Sequence, residues 1–410
     1  MENKRSEKTY PMGELDLTGY LKKAWEEGWL DKYSNEHFIV RAIENRVTDI
    51  EWKEQLLFNN STSIYSPINQ RGEIDFEMFS SNFIVNLSSR LFGMSKVFVE
   101  DDIKKFIQNQ LSAGKDKYDE NTFFQALSEI EILGFYCSRA SWCNAIYEPP
   151  IGMNGSNPEA KFEIVLHGKN NGEKIKIQVN IEVKTPEFPV IKTTSTRVII
   201  PTVLLSDSGK KQIRELCTSN NVKLVLPRVT KLVQFINSAA KKFEKPKDNE
   251  FNFLYINWSY SDFPSNGFLE AWSVLTNEIN GILTHPDIGT KLPFREPVCN
   301  EAFEKITAVI VYTSSLDQLM FSDFRHAWQA SENVGSRFRM FVLNNELKNE
   351  SNMSKVLFEL TGMNPHNQKP EGLRVLASYN WSKQTSISSM ATDCNFGVKV
   401  LDIISSSPLL

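Results

Sequence analysis

Cysteine and histidine are scarce in this chain, with five of each in 410 residues. The cysteines (Cys137, Cys143, Cys217, Cys299 and Cys394) include no CxxC pair. An odd, scattered set is the pattern of reduced thiols rather than of a disulfide framework. Cys137 and Cys143 lie within thirty residues of His167, but the spacing fits no common zinc site. No apolar run reaches the roughly 18–20 residues that a membrane span requires. The N-terminal MENKRSEKTYP is polar and lacks the apolar centre of a secretory signal. These absences predict a cytoplasmic protein with no membrane partner. Also missing are a GxxxxGK[ST] phosphate loop, a GxGxxG after a strand, a GxSxG elbow and an HExxH helix, so the sequence gives no support to the chemistries built on them. No fixed-period repeat and no heptad run is visible. A net charge of −4 rules out a general polycation, so contact with nucleic acid requires a local basic patch.

What is present is ordinary globular material, 41% hydrophobic and 23% charged, long enough for two or three domains. Residues 1–10 read as a disordered lead. Residues 14–58 carry helical patterning dense in aromatics, and the Asn/Ser/Pro/Gly-rich stretch 59–73 reads as a loop. Helices are predicted at 75–92, ending before Gly93, and at 100–112, opened by Asp101 and Asp102. An amphipathic helix at 119–133 is predicted to stop at Gly134, with Phe123, Leu127 and Ile130 on one face. Strands follow at 144–148, 159–167 and 174–184, the last two joined as a hairpin by the turn His167–Gly172. Beyond these come an apolar stretch at 197–205, a helix at 208–219, a strand at 222–226, a helix at 229–245 and a strand at 251–258. A helix at 267–277 and a strand at 306–312 precede a remainder with a helix near 316–330, a strand near 338–343, a helix near 350–361 and a β-like tail at 374–404.

The chemistry concentrates on two strands. Residues 175–184 read IKIQVNIEVK and end at a Thr185-Pro186 break. Alternate residues of a strand point the same way, so Glu182 and Lys184 share a face that Ile181 and Val183 avoid. The preceding strand is also acidic, and Glu159, Lys161 and Glu163 share one of its faces by the same alternation. Mg²⁺ takes hard oxygen ligands, commonly one or two carboxylates with water and phosphate oxygens. Glu182 with Glu159 or Glu163 can supply them from neighbouring strands. An acid-x-lysine triplet is weak evidence alone, since it recurs at Glu2/Lys4, Glu51/Lys53, Asp102/Lys104, Glu159/Lys161 and Glu346/Lys348. Only the copy at 182–184 ends an apolar strand after an acidic hairpin partner.

The order helix, strand, acidic strand, strand ending Glu182-Val183-Lys184, helix, strand resembles the PD-(D/E)XK, or restriction-endonuclease-like, nuclease superfamily over roughly residues 119–258. The resemblance implies an α/β fold with a mixed central sheet flanked by helices. A helical N-terminal region (1–115), a nuclease-like core with added strands (116–312) and a C-terminal α/β extension (313–410) would make up the chain. It assigns Glu182 and Lys184 to the family's triplet. Its Pro-Asp motif finds Pro158-Glu159 as the nearest match, a departure by one methylene, with Glu163 as the alternative. Glu129 fits the family's first-helix acid better than Glu131, which is nearer the helix end. Glu159, Glu163 and Glu182 are the implied metal ligands, with Mg²⁺ or Mn²⁺ as cofactor and Lys184 orienting the attacking water. The implied function is metal-dependent endonucleolytic hydrolysis of DNA, in restriction or phage defence, with DNA as partner and a homo-oligomer or a defence-system protein as a further one.

A second feature points to phosphate. Between Asp207 and Glu250 ten basic residues face five acids, a local excess of +5 in a chain that is −4 overall. On the nuclease reading, the helix at 229–245 borders the cleft and Lys241 or Lys242 holds a phosphate. The alternative function is a catalytically inactive nuclease-fold scaffold, or a ligand-sensing module built on 251–312, that acts through protein or nucleotide binding.

Overall fold

The computed structural model describes residues 19–31, 35–44, 76–111, 117–139, 144–152, 155–167, 174–186, 197–199, 207–219, 223–225, 229–258, 267–276, 281–284, 297–314, 338–343, 356–357 and 360–361. The predicted disordered lead at 1–10, the loop at 59–73, the helix near 316–330 and the tail at 374–404 lie outside these residues.

Among the described residues, five helical segments precede the first strand: α1 (Gly19–Glu26), α2 (Phe38–Ile43), α3 (Phe76–Ser95), α4 (Glu100–Phe106, continued by a π-helical turn at Ile107–Leu111) and α5 (Glu120–Arg139). Two of the predicted helix ends are corrected. Helix α3 runs through Gly93 and α5 runs through Gly134. A mid-helix glycine costs about 1 kcal/mol relative to alanine. Continuing α5 buries Phe135, Tyr136 and Cys137, and continuing α3 buries Met94. Each large apolar side chain so covered offsets that cost, at about 1.5–3 kcal/mol apiece.

Then come β1 (Asn144–Tyr147), β2 (Ala160–His167), β3 (Lys174–Lys184), β4 (Arg197–Ile199), α6 (Asp207–Ser219), β5 (Lys223–Val225), α7 (Val229–Lys242), β6 (Glu250–Asn257), α8 (Gly267–Thr276), α9 (Asn300–Lys305), β7 (Ala308–Tyr312) and β8 (Phe338–Val342). Six strands form one sheet in the order β1-β2-β3-β6-β7-β8, and β4 and β5 form a separate parallel pair. The β1–β2, β2–β3 and β7–β8 pairs are antiparallel, while β3–β6 and β6–β7 are parallel. The sheet is therefore mixed and the fold is α/β. Its central strands β6 and β7 are buried almost end to end, as strands covered on both faces must be.

Alternation splits the strand side chains between two cores. Phe162, Ile177, Val179, Ile181, Val183, Phe253, Tyr255 and Ile310 pack with α1 to α5. Leu254, Ile256, Val309 and Val311 pack on the opposite face with Leu232, Ile236, Ala239 and Phe243 of α7 and Trp272 of α8. The first of these cores takes residues from Leu21 to Leu360. It draws on both sides of residues 115 and 312, where domain edges were expected, and β8 extends the sheet beyond 312.

Helix α7 is tied to the sheet by one buried amide. The Asn252 Nδ2 donates to the carbonyls of Glu244 (2.8 Å) and Lys305 (2.7 Å), and its Oδ1 accepts from Asn180 Nδ2 (2.8 Å). Asn252→Ala strips the half-buried Lys305 carbonyl of this donor, a loss of about 1–3 kcal/mol for a group fully shut off from water, while Asn180 Nδ2 still donates to Glu250 Oε1 at 2.9 Å. Glu244 is exposed and its carbonyl regains water, so the expected loss of unfolding free energy is about 2 kcal/mol. Urea denaturation of the two proteins measures it.

Candidate active site

The carboxyl ends of β3, β6 and β7 lie side by side, which is where open α/β sheets place their ligands. Helix α5 passes these ends. Asn257, the last residue of β6, donates to Ser128 Oγ (3.0 Å), and the Ser314 hydroxyl beyond β7 donates to Glu131 Oε1 (2.6 Å). The antiparallel β2 begins where β3 ends: Ala160 stands opposite Ile181, so Glu159 enters the sheet level with Glu182. The Glu148 N–H to Glu159 carbonyl bond (2.9 Å) carries the β1–β2 ladder one residue further and holds Glu159 there.

Glu182 is completely buried. On β3 it stands opposite Leu254 of β6, on the face covered by α7. The Lys184 ammonium is ion-paired with Glu182 Oε1, two residues along the same strand face. Lys242, the last residue of α7, reaches the same Oε1 at 2.8 Å and Glu159 Oε1 at 3.3 Å. Glu129 belongs to the same electrostatic neighbourhood. Burial pushes its carboxyl well above the usual range, Glu159 and Glu182 add to that, and Lys184 and Lys242 oppose it. Burial first, then the Glu182 charge, pushes Glu159 up to about 7, against the two lysines. Burial alone would lower Lys242, but the charges of Glu159 and Glu182 outweigh it and the ammonium is held above its ordinary range. Three carboxyls and two amines thus share one largely dry site.

Of the five residues the sequence singled out, the structure brings together Glu129, Glu159, Glu182 and Lys184. It separates Glu163, which stands opposite Gln178, four residues down the strand from the Glu182 level, about 13 Å at the rise of a strand. Glu163 is ion-paired there with Lys176 at 2.9 Å, both partly exposed. Of the two open choices for the β2 acid, Glu159 is the one beside Glu182.

Two groups were not foreseen as members of the cluster. Tyr147 on β1 is buried, and its hydroxyl is pushed well up by burial and then by the charges of Glu129, Glu159 and Glu148. Lys242 was expected at a phosphate, not between carboxylates. Its position is readable from helical spacing: Phe235, Ala239 and Lys242 fall at i, i+4 and i+7, the face α7 buries.

Among the described residues, no three His, Cys, Asp or Glu side chains form a ready-made metal cluster. The donor chemistry nevertheless fits a hard divalent ion held by two carboxylates. Glu159 and Glu182 already share one cation, the Lys242 ammonium. Glu182 Oε2 and Glu129 Oε2 are buried with no hydrogen bond from the described residues, a costly state for carboxylate oxygens unless a cation or water answers them. No helix among the described residues is long and apolar enough to cross a membrane.

Compared with protein-family profiles, curated proteins and solved structures, the chain matches none.

Proposed function

We propose that the chain is a metal-dependent endonuclease that hydrolyses DNA phosphodiester bonds, acting in restriction or phage defence. One observation carries the reading: the acid-x-lysine pair Glu182 and Lys184 ends a central strand beside Glu159 of the neighbouring strand, within the electrostatic reach of Glu129 on a flanking helix. The strand arrangement supports it. Helix α5, the antiparallel run β1-β2-β3, helix α7 and the parallel strand β6 follow the order of a restriction-endonuclease-like core.

Glu159 and Glu182 would hold a Mg²⁺ or Mn²⁺ ion, with Glu129 behind them. When bound, that ion would activate water and neutralise charge on the phosphate. Lys184 holds its ammonium where it can orient the attacking water and stabilise charge developing on phosphate oxygens. Beyond the cluster, Lys211, Arg214, Lys241, Lys245 and Lys247 are exposed and offer the DNA backbone sequence-independent contacts.

The test is plasmid nicking by the full-length protein with Mg²⁺ or Mn²⁺. Conversion of supercoiled to open-circular DNA is expected, with EDTA abolishing it. A second reading, an inactive nuclease-fold scaffold, draws on the complete burial of Glu182 and the two amines already upon it. Under that reading neither metal yields cut DNA.

A further inference from the structure

Lys242 has a place in this site that the Glu182–Lys184 pair does not explain. Its ammonium bridges Glu159 Oε1 and Glu182 Oε1, at 3.3 and 2.8 Å. Those are the two carboxylates to which a divalent ion is assigned above. A tethered ammonium and a dissolved cation therefore compete for one seat. Both cannot occupy it, because Mg²⁺ draws its oxygens to about 2.0–2.1 Å and two cations between the same carboxylates repel. The two competitors are not equally committed. Lys242 is the terminal residue of α7, with its side chain 18% exposed, whereas Glu182 is fixed in mid-sheet at 0%. The lysine has an open side to move towards and the carboxylate has none.

We infer that Lys242 holds Glu159 and Glu182 together in the metal-free protein and yields that seat to a divalent ion. The inference rests on the metal-dependent reading above. It gives Lys242 a positioning role. Its ammonium keeps two buried carboxylates from repelling one another before loading, and sets a threshold that the ion must exceed. Once displaced, Lys242 lies on the rim beside exposed Lys241 and Lys245, where a DNA phosphate would meet it.

Titration of the full-length protein with Mn²⁺, read by electron paramagnetic resonance of the free ion, tests this without any need for catalysis. Lys242→Met keeps the length of the side chain and removes its charge. It is expected to bind Mn²⁺ at least about tenfold tighter than wild type, a modest share of the repulsion between charges this close. Lys242→Arg, which leaves a cation in place, is expected to stay near wild type. Lys242→Gln provides a second neutral variant if the methionine variant melts early. A merely structural lysine would not tighten metal binding when neutralised. Unchanged or weaker binding in both neutral variants overturns the inference. If the wild type nicks DNA with Mn²⁺ while neither neutral variant gains affinity, only the role of Lys242 falls. If no variant binds Mn²⁺ and the wild type does not cut, the metal-dependent reading falls and takes this inference with it.

Discussion

Glu182→Ala and Lys184→Ala are each expected to slow DNA nicking by about a thousandfold, the upper end of what losing one preorganised charge costs in a dry site, with DNA affinity changed by no more than about threefold. The asymmetry follows from where these groups sit. Glu182 is wholly buried and Lys184 is 19% exposed, so neither meets the DNA backbone over much surface. Binding instead falls to exposed lysines and arginines outside the cluster, which counterion release makes sequence-independent and salt-sensitive. In the site itself, low dielectric makes each charge worth far more than it would be in water. The two variants differ in what they leave of the metal site. Glu182→Ala removes the carboxylate that both Lys184 and Lys242 contact. Lys184→Ala leaves Glu182 with Lys242 and should retain metal binding while losing rate. Nicking rates, Mn²⁺ titration and fluorescence anisotropy on a labelled duplex without metal separate the three quantities. Wild-type rates in both variants would place any cutting activity elsewhere in the chain.

Much of this arrangement was legible beforehand because alternation along a strand is nearly independent of context. The β3 span 174–184 was read from its pattern alone, and Glu182 and Lys184 lie on the face that period two demands. Periodicity does not say which end of a strand meets the site. Glu159 and Glu163 share a face of β2 by pattern, and only the pairing register, Ala160 opposite Ile181, puts one of them beside Glu182. The helix ends at Gly93 and Gly134 were misplaced because a local penalty was weighed without the core that the next turn buries. Lys242 was hardest to place, since a lysine pair at a helix end reads as solvated. The deciding fact, that a buried carboxylate pair waits beneath it, is tertiary. Domain edges near 115 and 312 were read from the order of elements along the chain, and that order carries no information about which helices share a core.

Acid is expected to destabilise the helical layer through a single histidine. His37 is completely buried at the start of α2. Its Nδ1 accepts from the Ile39 N–H at 3.1 Å, and its other ring nitrogen meets the carbonyl of Leu111, where the π-helical turn after α4 ends. The two contacts together fix the neutral tautomer with the proton on Nε2. A second proton on Nδ1 would set a donor against the Ile39 donor and place an unpaired charge among Phe38, Tyr118 and Phe123. Burial accordingly lowers the imidazole from 6.5 to about 4, against a smaller upward pull from the Leu111 carbonyl. In the unfolded chain the imidazole binds its proton near pH 6.5, and in the folded chain near pH 4. The unfolded state therefore carries the extra proton between those values, and stability falls as pH drops through that window and levels off below it. The shift amounts to about 3 kcal/mol. Glu159 acts in the other direction. Its carboxyl is raised from 4.5 to about 7, so its share of stability is lost as pH rises through that range and partly masks the histidine in the wild type. The clean quantity is the difference between wild type and His37→Asn, which keeps an acceptor for the Ile39 N–H and cannot titrate. At pH 7.5 the variant should be the less stable, having lost the Leu111 contact. That gap should close by about 3 kcal/mol as the pH falls to 4. Urea unfolding at half-unit steps measures it, and a gap that stays constant across the window would show that His37 charges in the folded protein as readily as in the unfolded chain.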